Sequence, residues 1–133
     1  MKANTSLYLN FFDENYIYSP LKASQELGLE LELIQQLIQE YAAQIIQANV
    51  TFGEYLKEFK KLQANNQEIN FTPFKNLAHK NLGVARNLRI KDCEDILQKM
   101  MTEEKLDYLG LLVDVLESCA IKLSPDTASK SLQ

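Results

Sequence analysis

Apolar residues recur at intervals of three and four along most of the chain, and no stretch alternates with period two. Leu33, Ile34, Leu37, Ile38, Tyr41, Ile45 and Ile46 form one such stripe. Cys93, Ile96, Leu97 and Met100 form another, and Leu106, Leu109, Val113, Leu116, Ala120 and Leu123 a third with near-heptad spacing. A helix turns about 100° per residue, so each set lies on one face and needs a neighbour to cover it. A strand would need alternation, and hairpin turn pairs are absent as well. The expected fold class is therefore all-α. Short connecting segments favour antiparallel neighbours, which gives an up-and-down four-helix bundle with a short extra N-terminal helix.

Helix punctuation divides the chain further. Ser19-Pro20 is a cap followed by proline at the first helical position, and Gly28 is a stop, so a short helix is expected over 20–27. A long amphipathic helix follows over 30–48. Thr51 and Glu54 have capping-box spacing, and Phe52, Tyr55, Leu56, Phe59 and Leu62 continue helically behind them. Residues 63–70 are polar and amide-rich and read as a loop. Thr72-Pro73 opens the next helix by the cap-and-proline signal, 89–91 break it, Asp92 caps another, Thr102 caps the last, and Ser124-Pro125 ends it. The implied organisation is an aromatic N-terminal arm over 1–18, a helical bundle over 19–124 and a polar tail over 125–133. The arm holds five of the twelve aromatic residues, Tyr8, Phe11, Phe12, Tyr16 and Tyr18, as a segment laid over the bundle or a docking segment.

A chain of 133 residues is long enough for one domain with its own core. Cys93 and Cys119 each fall on an apolar helix face, which favours buried thiols in a reducing compartment over a disulfide. No window approaches the roughly 18 uninterrupted apolar residues of a membrane span, so a cytoplasmic protein is expected. A net charge of −4 argues against nucleic acid as the main partner.

That acidity is unevenly spread. Residues 71–91 contain five basic residues, Lys75, Lys80, Arg86, Arg89 and Lys91, and none of the chain's 18 acidic ones. At the centre stands the only histidine, His79. On a helix, Phe74, Leu77, Ala78, Asn81, Ala85 and Leu88 share the inward face, and His79 lies roughly 140° from its centre. Lys75, Gly83 and Arg86 fall within about 40° of the line through His79. Gly83 costs a helix about 1 kcal/mol relative to alanine and leaves bare backbone beside the ring. Side chains on a helix lean toward its N-terminus, so Arg86 is expected to point back at His79, while Lys75 leans away and Lys80 lies about 100° round. Asn81 sits in the middle of the inward face and needs a partner there.

The run AHKNLGVARNL resembles the signature of histidine-containing phosphotransfer domains, in which a phosphorylatable histidine is followed by Lys-Gly at the third and fourth positions and alanine at the sixth. His79, Gly83, Ala85 and Leu88 match that pattern in order, and the helix spacing is similar from Pro20 to Leu123. Leu82 stands where the family has lysine, and Asn81 where it has a core leucine. The resemblance implies that His79 is the phosphoacceptor, with Arg86, Lys75, Lys80 and Gly83 stabilising the phosphoryl group or docking the partner. It implies a response-regulator receiver domain or a histidine kinase as partner. An imidazole, with a pKa of about 6.5 in water, is a competent nucleophile near neutrality. The four glycines are too scattered to build a phosphate-cradling loop, so no cofactor is expected, and Mg²⁺ and the activated phosphoryl group would come with the receiver. One histidine and two separated cysteines likewise give no metal or haem ligand set. The alternative is a related helical scaffold that has lost phosphotransfer and serves as a protein-binding module in signalling.

Overall fold

The computed structural model describes residues 13 and 15–127. Tyr8, Phe11 and Phe12 of the expected arm, and the end of the expected tail, lie outside the described residues. What is described is all-helical. The elements are α1 (Pro20–Leu27), α2 (Leu31–Ala64), α3 (Thr72–Asn87), α4 (Lys91–Thr102) and α5 (Leu106–Leu123). Helix α2 packs along α5, α3 along α4, and α4 against α5, while α1 lies on α2. Tyr41 meets Asn81 and Phe52 meets Phe74, so α2 and α3 run in opposite directions.

The largest departure from expectation is α2, one continuous helix of 34 residues where a restart was expected at Thr51. Thr51 and Glu54 have the spacing of a capping box but sit inside the helix. The reason is the buried stripe Ile45, Ala48, Phe52, Leu56 and Phe59, which keeps its three-and-four rhythm straight through Gly53. Burying a phenylalanine contributes about 1.5–3 kcal/mol, more than the roughly 1 kcal/mol that a helical glycine costs. Three other starts differ. Asp92, expected as a cap, lies inside the first turn of α4, which begins at Lys91 behind Ile90. Thr72 is the first residue of α3 and Asn70 does the capping, its Oδ1 accepting from the Thr72 N–H at 3.1 Å. Thr102 closes α4, and Glu103 Oε2 accepts from the N–H groups of Glu104 and Lys105, 3.1 Å each, ahead of α5.

The inner faces came out close to the expected ones, shifted by a residue. In α5 Leu112 and Cys119 join Leu106, Leu109, Leu116 and Ala120 inside, while Val113 and Leu123 are half-buried. In α2 Leu33 is exposed and Ala42 is buried. Cys93 and Cys119 are both buried and free, as expected of thiols on apolar faces. Phe74 meets Phe52, Phe59 and Tyr55, its centroid 4.8 Å from that of Phe52, and Tyr55 stacks on Phe59. This cluster fixes α3 near its start. Among the described residues no helix is long and apolar enough to cross a membrane.

The end of α3 is closed by a left-handed turn. Ile90 N–H donates to Ala85 C=O at 2.9 Å and Arg89 N–H to Arg86 C=O at 3.2 Å, with Arg89 at φ 64°. That is the bond pattern of a glycine-terminated helix, carried by an arginine. Gly28 does the same work after α1 without a side chain to strain. Replacing Arg89 by glycine is expected to raise the unfolding free energy by about 0.5–1 kcal/mol. A higher denaturant midpoint with an unchanged slope would establish it; a lower one would mean that the arginine's own contacts outweigh the strain.

Candidate functional site

Helix α3 buries Phe74, Ala78, Asn81, Leu82 and Ala85. The opposite side carries His79, Lys80, Gly83 and Arg86, all exposed, with Lys75 half-buried at its edge. The expected outward direction of the imidazole therefore holds. A Cβ built at Gly83 would meet nothing within 4 Å, so no packing among the described residues accounts for the glycine.

The buried side of α3 explains both residues that depart from the family pattern. Leu82 is 3% exposed and packs into the core, which turns the third position after His79 inward, where a lysine would be desolvated. Asn81 is 1% exposed and fully satisfied: its Nδ2 donates to Leu77 C=O at 2.9 Å, and its Oδ1 accepts from Gln44 Nε2 at 2.8 Å. Its backbone carbonyl accepts from the Tyr41 hydroxyl at 2.8 Å. Two residues of α2 thus grip the turn of α3 that bears His79. Sequence reasoning foresaw the need for a partner but not Gln44, which lies 37 positions away.

Electrostatics is where folding changes the picture most. The five basic residues of 71–91 look like a concentrated positive patch in the sequence. In the fold, four of them meet carboxylates. Lys75 Nζ lies 2.7 Å from Glu104, Arg86 Nε 3.4 Å from Glu94, Arg89 Nε 3.9 Å from Glu26 and Lys91 Nζ 2.8 Å from Asp95. Lys80 alone of the five has no carboxylate partner among the described residues. The guanidinium of Arg86 is accordingly directed to α4 and makes no hydrogen bond to His79. Exposed pairs of this kind contribute only about 0.2–1 kcal/mol each, so they set where the cations rest more than they stabilise the fold. No short-range rhythm could have announced them, since only Lys91 and Asp95 are one helical turn apart.

The described part of the N-terminal arm reaches the far end of α3, not the turn of His79. The Tyr18 hydroxyl donates to Leu88 C=O at 2.7 Å and that of Tyr16 to Arg89 C=O at 3.3 Å, while Lys122 Nζ donates to Tyr16 C=O at 2.7 Å. Burial pushes the Tyr18 phenol up to about 12. Leu88 is nine residues beyond His79, roughly 13 Å along the helix axis. Close by, Asp92 is nearly enclosed, its Oδ1 accepting from Cys93 N–H at 2.8 Å, and burial raises its carboxyl above the usual range. A hydrogen bond with Cys119, then burial, raises the Cys93 thiol well above its ordinary value.

Among the described residues no group of three His, Cys, Asp or Glu is placed to hold a metal ion. Chemically the surface offers one solvent-facing imidazole, one uncommitted ammonium, bare backbone at Gly83, and two cations held to one side. No family model, curated protein or solved structure matches the chain.

Proposed function

We propose that the chain is a phosphorelay intermediate that takes a phosphoryl group at His79 from a receiver domain and passes it on to another. The supporting observation is His79 itself: the chain's one imidazole, turned to solvent beside Lys80 and the open backbone of Gly83. In this reading α2, α3, α4 and α5 make an antiparallel four-helix bundle of the histidine-phosphotransfer kind, with α1 as the extra N-terminal helix, in the cytoplasm. A ring nitrogen attacks the phosphorus of an aspartyl phosphate, the N–P bond forms, the acyl P–O bond breaks, and the aspartate carboxylate leaves. Such transfer depends on positioning and on cations facing the equatorial oxygens. Lys80 supplies one from this chain, and the receiver brings the Mg²⁺.

Phosphorylated receivers mixed with the protein should lose their acyl phosphate faster than alone, for at least one receiver. If every receiver tested keeps its unassisted rate, the proposal fails. A second reading, a scaffold that binds a receiver without taking phosphate, draws on Leu82 and on the carboxylates that occupy Lys75 and Arg86. Receiver binding without acceleration would favour it.

Gly83 separates docking from folding. With open space above it, Gly83→Ala should stabilise the protein by about 1 kcal/mol. If this backbone is where a receiver settles, the same substitution should slow transfer severalfold. Gly53, also exposed and unobstructed in α2, is the control: Gly53→Ala should stabilise similarly and leave transfer alone. Equal rates for the two variants would remove Gly83 from the docking surface.

A further inference from the structure

We infer that Glu94 is a positioning residue for the chemistry at His79: it holds Arg86 aside while the imidazole is bare and releases it once the ring carries a phosphoryl group. This inference rests on the phosphoacceptor role proposed above. Arg86 lies seven residues after His79, within about 20° of the same line and roughly 10 Å along the axis. Helical side chains lean toward the N-terminus, so an unrestrained Arg86 would extend toward the ring. Instead its Nε is 3.4 Å from Glu94 Oε1.

The latch is built across a helix junction. Arg86 sits in the last turn of α3 and Glu94 in the first turn of α4, so each charge is at the helix end that favours it. Half of the Arg86 side chain is still exposed, and Glu94 is one-quarter exposed. An exposed, singly bonded pair of this kind is weak and exchanges easily. A phosphoryl group offers two negative charges and three acceptor oxygens to the planar guanidinium, against one carboxylate oxygen in the resting pair. Phosphorylation therefore draws Arg86 across, and dephosphorylation returns it. Lys75 is held similarly by Glu104, but it precedes His79 and leans away, so its release does nothing for the ring.

The test needs no partner. N-protonated phosphoramidate transfers its phosphoryl group to an accessible imidazole: the N–P bond to the ring forms, the donor's P–N bond breaks, and ammonia leaves. Because His79 is the only histidine, the product is uniquely labelled. After removal of the donor, the half-life of phospho-His79 is followed in wild type, Glu94→Gln, Arg86→Ala, the double variant and Glu104→Gln. Glu94→Gln should lengthen it about two- to fivefold, the scale of an exposed ion pair. Arg86→Ala should shorten it, the double variant should match Arg86→Ala, and Glu104→Gln should match wild type. The latch is overturned if Glu94→Gln leaves the half-life unchanged, if its effect survives without Arg86, or if Glu104→Gln reproduces it, which would mean that bulk charge alone matters. Failure of the phosphorelay reading is registered separately, as phospho-His79 that gives nothing to any receiver.

Discussion

Phe74→Ala is expected to cost about 3–5 kcal/mol of folding stability and to lower the melting temperature by roughly 10–20 °C. Phe74 is 0% exposed, and its ring meets Phe52 at 4.8 Å, Phe59 at 6.1 Å and Tyr55 at 6.4 Å between centroids. Truncation removes the transfer term of a full aromatic ring and leaves a cavity that three other rings, themselves held by α2, cannot close. Aromatic edge and tilt contacts contribute beyond the area buried. The site depends on this indirectly, because Phe74 lies five residues before His79 and anchors the start of α3. Thermal unfolding followed by far-ultraviolet circular dichroism reads the effect. A loss under about 1 kcal/mol would mean that the ring is not enclosed as described.

His79→Gln is expected to abolish phosphoryl acceptance completely while leaving the melting curve where it was. Glutamine keeps a polar side chain at an exposed helical position, and surface changes away from caps and networks shift stability by no more than about 0.5 kcal/mol. It has no ring nitrogen with a free lone pair, so no N–P bond forms. Receiver binding should persist in this variant, since Lys80 and Gly83 are untouched. Label retained by His79→Gln would place the acceptor on another residue.

Helix identity was legible because it rests on short-range spacing. Ser19-Pro20 and Gly28 bound α1 as the sequence suggested: Ser19 Oγ accepts from Lys22 N–H at 3.1 Å, and Gly28 takes φ 68°. Cys93, Ile96, Leu97 and Met100 all face inward. What failed at this level was local punctuation set against tertiary burial, as at Thr51, where a good capping pattern lost to the buried stripe of Phe52 and Phe59. The outward direction of His79 was legible for the same geometric reason.

The surroundings of His79 were not legible. Glu94 and Glu104 belong to α4 and the turn beyond it, and Glu26 to α1, and only packing brings them to Arg86, Lys75 and Arg89, whereas Asp95 reaches Lys91 within one turn of α4. A stretch of sequence with five cations and no acid thus becomes a surface with Lys80 as its uncommitted charge among the described residues. Leu82 reads differently as well. In the sequence it is a lysine missing from a family signature, and in the fold it is a core residue 3% exposed.

The most direct measurement is the chemical stability of the label that the wild-type chain acquires from a phosphorylated receiver. Phosphate on a histidine nitrogen is lost in acid and kept in base; the label should behave in that way and map to the peptide that contains His79. A chain that binds the receiver yet acquires no label, or whose label resists acid, would contradict the phosphorelay reading.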